Sequence, residues 1–158
     1  MKIKEFAFKN ICSYGNKVQT FKFSEDPNLI LVQGTNGSGK SSISDALTVS
    51  IYGKSGIRKI KEIPNRINKN AYTSVKFTAN NGDEVEIERG IEPNFSKILI
   101  NGNDYNLPDK RRVDEFIEEE LVKIPFNVFS NTISLSVNDF KSFVKLSPAD
   151  KRKIIDKI

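Results

Sequence analysis

Residues 34 to 41 read Gly-Thr-Asn-Gly-Ser-Gly-Lys-Ser, which satisfies the spacing G-x-x-x-x-G-K-S/T without a mismatch. Four fixed identities at set spacing arise by chance on the order of once in tens of thousands of positions. The flanks narrow what such a chain can fold into. Leu29-Ile30-Leu31-Val32 is a continuous apolar run, the pattern of a strand buried on both faces of a parallel sheet. Ser42 to Tyr52 has the periodicity of a helix, with Ile43, Ala46, Leu47 and Ser50-Ile51 on one face. Strand, glycine-rich loop and helix in that order specify an α/β unit.

The chemistry of the loop follows from its backbone. Glycines at 34, 37 and 39 allow positive φ angles that turn N–H groups inward. Such N–H groups form a nest for anionic oxygens, and the helix beginning near Lys40 adds unpaired N–H groups and the positive end of its dipole. This is the logic of a P-loop. Lys40 reaches the β and γ phosphates as a point charge, and the Ser41 hydroxyl binds Mg²⁺ beside them. A plain turn between a strand and a helix requires neither Lys40 nor Ser41. The motif is shared by ATP and GTP sites. GTP is disfavoured because Asn68-Lys69-Asn70 is followed by Ala71, not by the Asp of the guanine-reading Asn-Lys-x-Asp.

A chain of 158 residues suffices for one domain, which buries roughly 70% of its unfolded surface. The hydrophobic content of 37% and charged content of 28% are those of an ordinary globular protein. No apolar stretch approaches the ~20 residues of a membrane span. Glu5 and Lys9 interrupt any apolar run at the N-terminus, so it is not a signal peptide. A single cysteine, Cys12, excludes an internal disulfide framework, and the absence of histidine excludes His-based catalysis and zinc sites. These features place the chain in the cytoplasm (for a phage protein, that of the host cell). The net charge of +5 permits a nucleic-acid partner without requiring one. Lys54, Arg58, Lys59, Lys61, Arg66 and Lys69 cluster after the first helix, whereas Lys110-Arg111-Arg112 reads as the polar face of a later one.

Residues 2 to 10 and 17 to 23 read as strands joined by the turn Ser13-Tyr14-Gly15-Asn16. Val75, Phe77 and Ala79, then Val85 and Ile87, are the inward positions of a hairpin turning at Asn80-Asn81-Gly82. A shorter pair runs from Lys97 to Tyr105 around Asn101-Gly102. Pro108 and Asp109 open a helix to about Lys123, with Val113, Phe116, Ile117 and Leu121 inward and Glu118-Glu119-Glu120 as its wet face. Pro125 starts a short helix, and Asn131 to Val137 alternates as a strand. Ser147-Pro148-Ala149-Asp150 caps a helix from Ala149 to Ile158. The fold expected is an α/β sandwich: a mixed sheet holding the P-loop strand, an antiparallel β layer, and flanking helices.

A P-loop ATPase needs a second carboxylate group for Mg²⁺ and the attacking water, on an apolar strand ending in Asp or Asp-Glu. Ile98-Leu99-Ile100 ends in Asn101, and Val85-Glu86-Ile87-Glu88 is a half-exposed hairpin arm. The chain therefore holds half of an active site, with no catalytic residue of its own, and its capped last helix points to truncation.

Three segments carry a family resemblance. Lys-Glu-Phe-Ala-Phe-Lys-Asn-Ile-Cys-Ser at 4 to 13, Gly-Thr-Asn-Gly-Ser-Gly-Lys-Ser-Ser at 34 to 42 and Leu-Ser-Pro-Ala-Asp-Lys-Arg at 146 to 152 resemble the N-terminal lobe of the SbcC-type ATPases. These are ABC-like, SMC-related subunits of double-strand-break-repair nucleases. The Asn-Ile-x-Ser-x-Gly form at Asn10 to Gly15 is most similar to the bacteriophage branch, the recombination endonuclease subunits. The resemblance spans essentially all of residues 1 to 158 and implies the N-terminal half of a split head of ABC-ATPase type. A coiled coil and a C-terminal lobe with the remaining catalytic motifs would follow. It implies ATP and Mg²⁺ as cofactors, with Asn36, Gly37, Ser38, Gly39, Lys40, Ser41 and Ser42 holding the phosphates and Ser41 ligating the metal. It implies as partners a second copy of the head, a metallo-phosphoesterase nuclease subunit and DNA, and no membrane. Lys59-Ile60-Lys61-Glu62 resembles the segment that lies by the adenine.

Two positions depart from the family. Cys12 stands where most relatives carry a nucleotide-binding arginine or lysine. Val137-Asn138 stands where most carry the Gln-Gly of the Q-loop; Val137 cannot ligate a metal, and Asn138 or Asn131 could supply an amide oxygen instead. Alternatives to a nuclease-linked ATPase are an SMC-like DNA tether and a RecF-like recombination mediator, both without a nuclease. A small-molecule kinase is disfavoured by the hairpin-rich segment from Thr73 to Tyr105. An isolated lobe is also expected to leave apolar surface and sheet edges open, and so to self-associate.

Overall fold

The structure is a computed structural model that describes residues 1–24, 31–56, 58–107, 109, 112–130, 151, 152 and 155. Strands β1 (Lys2–Lys9), β2 (Gln19–Lys22), β3 (Ala71–Thr78), β4 (Glu84–Ile91), β5 (Phe95–Ile100) and β6 (Asn103–Asp104) form one sheet in the order β2-β1-β3-β4-β5-β6. Every pairing is antiparallel. The β3–β4 hairpin sets Val75 opposite Ile87 and Phe77 opposite Val85, so the alternation read in the sequence fixes its register. Its tip lies at Asn81 and Gly82, and a second tight turn at Asn101-Gly102 joins β5 to β6.

Helix α1 (Lys40–Tyr52) packs on this sheet and joins two apolar clusters. Ala46 and Val49 meet Phe6, Phe8 and Ile11, the last two fully buried. Ile51 and Tyr52 meet Val75, Phe77 and Ile87 from the sheet and Ile117, Val122 and Phe129 from the C-terminal segment. Ile43 and Leu47 are only partly buried; the helix turns Ser42, Asp45, Thr48 and Ser50 inward beside its apolar residues.

The C-terminal side of α1 is held by one buried guanidinium. Arg89 on β4 donates from Nε to the Ser50 carbonyl and from Nη2 to the Ile51 carbonyl, both at 3.1 Å. Its Nη1 donates to Ser96 Oγ at 2.9 Å and to Asp114 Oδ1 at 2.6 Å. Burial lowers its pKa below the ordinary arginine value, and the Asp114 carboxylate opposes that shift. The last carbonyls of a helix have no partner of their own, so this cation satisfies them.

Several expectations change. Leu31 and Val32 lie in no strand and are 71% and 43% exposed, while Leu29 and Ile30 lie outside the described residues. A strand buried on both faces needs neighbours to hydrogen-bond, and among the described residues no strand pairs with it. The described sheet is antiparallel throughout, the antiparallel β layer that the sequence leads one to expect, and no strand of the expected mixed sheet lies among the described residues. The helix expected from Pro108 begins at α2 (Val113–Phe116) and continues as a π-helical turn, Ile117–Val122, closed by Lys123 N donating to the Glu118 carbonyl at 3.0 Å. That turn buries Ile117, Leu121 and Val122 together. Glu119 and Glu120 face solvent, but Glu118 Oε1 accepts the backbone N–H of Phe126 at 3.0 Å, at the start of α3 (Phe126–Val128). The expected strand at Asn131 to Val137 lies outside the described residues. So does the cap at Ser147 to Asp150; Lys151 and Arg152 are helical.

Candidate functional site

Helix α1 starts without a capping side chain. Its N-cap is Gly39, left-handed at φ 92° and ψ 13°, and no acidic residue occupies the first turn. Ser42 N donates back to the Gly39 carbonyl at 3.0 Å. A first turn left uncapped keeps its remaining N–H groups for an outside acceptor. Gly37 is also left-handed, at φ 83°, whereas Gly34 is not. Only glycine meets both demands at position 39. The angle disfavours a side chain, and a Cβ built there would lie 2.9 Å from both Ser13 Oγ and the Tyr14 ring. The loop is thus seated against the turn that follows β1.

Lys40 Nζ donates to the carbonyls of Gly34 at 2.6 Å and Thr35 at 2.8 Å, folding the side chain back over its own loop. Ser41 is exposed and Ser42 is buried. Asn36, Gly37, Gly39, Lys40, Ser41 and Ser42 line one cleft of about 1370 Å³. Ser38 does not line it; it is exposed, and its Oγ lies 2.6 Å from where a Gly34 Cβ would stand. Asn138, Val137 and Asn131 lie outside the described residues.

The facing wall comes from the basic stretch. Arg58, Lys61, Arg66 and Lys69 line the same cleft, giving with Lys40 five cations against the carboxylates of Glu62 and Glu92. Lys54 points elsewhere, to Glu118 at 3.9 Å and over the Phe126 ring at 5.8 Å. Lys59 precedes the 3₁₀ turn Ile60–Glu62, whose Lys61 and Glu62 face the cleft. Cys12 lies at the cleft edge, half-buried, where it contributes no charge.

Asparagines hold this wall in place. Ile11 bridges to Pro64, and Cys12 N donates to the Ile63 carbonyl at 2.8 Å. Asn65 Nδ2 donates to the Cys12 carbonyl at 2.9 Å, while its Oδ1 accepts Ile67 N and Asn68 N. Buried Asn10 donates to Asn70 Oδ1 at 2.6 Å and accepts from Asn68 Nδ2 at 2.9 Å. A second tie comes from α1. Asp45, 3% exposed, accepts Ser55 Oγ at 2.8 Å and Arg58 Nε at 3.1 Å. The helix that opens the cleft thereby fixes a cation on its far side. Sequence reasoning singled out none of these ties. The spacing Asn65-x-x-Asn68 was the available signal, since an asparagine side chain accepting N–H groups two and three residues on is a known turn device.

Residues 7–158 match the AAA domain family AAA_23. The chain is 26% identical over 160 residues to "Exonuclease subunit 2" of Enterobacteria phage T4, covering 98% of this chain and 28% of that protein. It is 29% identical over 165 residues to the SbcC protein of the SbcCD nuclease of Lactococcus lactis, covering 90% and 16%. To the "DNA double-strand break repair Rad50 ATPase" of Archaeoglobus fulgidus it is 29% identical over 152 residues, covering 96% and 16%. The chain thus spans less than a third of the length of these relatives. A solved structure from work on ATP-driven dimerization and DNA-stimulated activation of SMC ATPases superposes with TM-score 0.68 at 26% identity, covering 99% of each chain. A RecF–ATP structure superposes at 0.60 with 22% identity, covering 99% of this chain and 37% of that one, a likeness of fold alone. No helix among the described residues is long and apolar enough to cross a membrane. The chain belongs to the AAA domain family, and its likeness within it is to the N-terminal lobe of the SbcC- and Rad50-type ATPases.

Proposed function

We propose that residues 1 to 158 are the ATP-binding lobe of the ATPase subunit of a DNA double-strand-break repair or recombination nuclease complex. One observation carries this reading: the uncapped start of α1, Lys40 and Ser41 all open onto a single cationic cleft. The N–H groups of the loop and first turn would hold the α and β phosphates. Lys40 would exchange the Gly34 and Thr35 carbonyls for the β and γ phosphates. Ser41 would hold Mg²⁺, whose charge neutralises the phosphate oxygens. Arg58, Lys61, Arg66 and Lys69 would balance the remaining charge where Cys12 cannot.

The same reading assigns ATP the task of joining two heads, with hydrolysis requiring residues beyond this lobe and gating a metallo-phosphoesterase partner on DNA. The names of the phage, SbcCD and Rad50 relatives support it. The exposed Leu31 and Val32 would then lie in the seam with the C-terminal lobe. SMC and RecF folds favour a second reading, a DNA tether or recombination mediator without a nuclease.

Titration calorimetry with Mg-ATP tests the site. The chain is expected to bind ATP and not to hydrolyse it alone. Lys40→Ala should weaken binding by roughly 10- to 100-fold, the worth of a charge-assisted hydrogen bond of about 1.5–3 kcal/mol. Unchanged binding by Lys40→Ala overturns the reading. Co-purification of the natural protein with a metallo-phosphoesterase separates the nuclease-linked role from the tether.

A further inference from the structure

Asn-Gly pairs occur at Asn36, Asn81 and Asn101. In such a pair the glycine nitrogen can reach the asparagine side-chain carbonyl carbon, because no Cβ stands in the way. Two of the pairs are pinned in hairpin turns. Asn81 Nδ2 donates to Asp83 Oδ2 at 2.6 Å, and its Oδ1 accepts Asp83 N at 3.1 Å. Asn101 Nδ2 donates to Asp83 Oδ1 at 2.8 Å, and its Oδ1 accepts Glu84 N at 2.9 Å. Asn36 differs in the bonding of its side chain. It is exposed like Asn81 and Asn101, but among the described residues nothing hydrogen-bonds its side-chain amide. Its turn is closed by Ser38 N donating to the Thr35 carbonyl at 3.2 Å. A Cβ built on Gly37 would meet nothing within 4 Å, as is also true at Gly82 and Gly102, so the side-chain bonds alone separate the three pairs.

The surroundings add an electrostatic push. Attack on the side chain requires the Gly37 N–H to give up its proton, which leaves negative charge on the nitrogen. Asn36 and Gly37 line the cleft with Lys40 and the uncapped start of α1, a setting that favours negative charge. The feature that suits the loop to phosphate therefore also suits it to this reaction.

We propose that Asn36 is a self-modification site of the phosphate loop, deamidating through a succinimide with water as its only co-reactant. The Gly37 nitrogen bonds to Asn36 Cγ, the Cγ–Nδ2 bond breaks, and ammonia leaves with the proton given up by Gly37. Water then opens the ring at either carbonyl, leaving aspartate or isoaspartate at position 36. The consequence rests on the reading of the cleft as a phosphate site. A carboxylate in an anion nest repels phosphate, and the iso form adds a methylene to the loop backbone. Bound phosphate, by accepting from Gly37 N–H, keeps the proton on that nitrogen. Empty loops therefore age and occupied loops do not.

The test is peptide mass spectrometry of the purified natural protein, aged at mildly alkaline pH and physiological temperature with and without Mg-ATP. Without nucleotide, Asn36 is expected to convert several-fold faster than Asn81 and Asn101, with ATP binding falling in proportion to the converted fraction. With saturating Mg-ATP its rate should drop to that of the hairpin pairs. Conversion at Asn36 no faster than at the hairpin pairs overturns the proposal. Fast conversion that Mg-ATP leaves unchanged, in protein that binds Mg-ATP, overturns the protection. Fresh protein that binds no nucleotide counts against the phosphate reading instead, and the ranking of the three asparagines still decides the modification.

Discussion

The Asp45 carboxylate, buried on α1, holds the Arg58 guanidinium at 3.1 Å across thirteen residues of chain. Asp45 stands one helical turn beyond Ser41, so one helix presents both the phosphate loop and the anchor for the opposite wall. Asp45→Ala is expected to remove the carboxylate to which Arg58 Nε and Ser55 Oγ both donate. With Arg58 partly in solvent, the loss should be about 1–2 kcal/mol, a melting point lower by roughly 2–8 °C. ATP affinity should fall as well. In a double-mutant cycle with Arg58→Ala the two losses should be non-additive by about 0.5 kcal/mol or more. Additive effects on ATP affinity would mean that the pair does not act as a unit.

Gly39 is constrained twice, by its left-handed angle and by Ser13 and Tyr14, which a Cβ there would meet at 2.9 Å, inside van der Waals contact. Gly39→Ala should cost more than about 1 kcal/mol and move the loop off the turn that seats it. Urea unfolding gives the first quantity. The NMR resonances of the Tyr14 ring, compared between variant and parent, report the second. A variant as stable as the parent would show that the loop is not seated where the structure has it.

What could be read from the sequence was local. Gly37, Gly39, Lys40 and Ser41 carry their meaning in identity and spacing, and the β3–β4 register follows from alternation around Asn81-Gly82. What could not be read depended on distant partners. Leu31 and Val32 look like a buried strand, but burial needs neighbouring strands. Arg89 sits among alternating charges and looks solvated; the Ser50 and Ile51 carbonyls that hold it lie 39 and 38 residues away. Glu118 looks like one of three wet carboxylates until the chain folds back to bring Phe126 N to it. The wall of the cleft depends on Asn10, Asn65 and Asn68, and their bonds cross more than fifty residues.

Tyr52 gives the fold an alkaline limit. Its ring packs against Phe126 and Phe129, its hydroxyl donates to the Ile124 carbonyl at 2.9 Å, and it is 1% exposed. Burial first, then the Glu118 charge, raises its pKa well above the ordinary 10.0. A raised folded value means that the neutral phenol is favoured in the fold. Its contribution is complete below pH 10.0 and is lost as pH rises from there through the folded value. Tyr52→Phe should cost about 1 kcal/mol near neutrality, the worth of one hydrogen bond. The gap between variant and parent should close above pH 10.0, because the parent alone must ionise this group on unfolding. Urea titrations at neutral and alkaline pH measure this, and a gap constant across that range would contradict it.

Arg89 joins three parts of the fold through one planar group. Its donors reach the end of α1, Ser96 on β5 and Asp114 on α2. Arg89→Met keeps most of the volume but leaves the Ser50 and Ile51 carbonyls without this partner, at a cost of about 2–4 kcal/mol. Arg89→Lys keeps the charge but not the fork, so it should fall between Met and the parent. Asp114→Asn should cost least, under about 1 kcal/mol, because that side chain is 49% exposed and its ion pair is screened by water. The order Met, Lys, then Asp114→Asn in melting point is the expectation. Arg89→Met within about 0.5 kcal/mol of the parent, the range of an ordinary surface change, would show that the carbonyls of α1 do not depend on it.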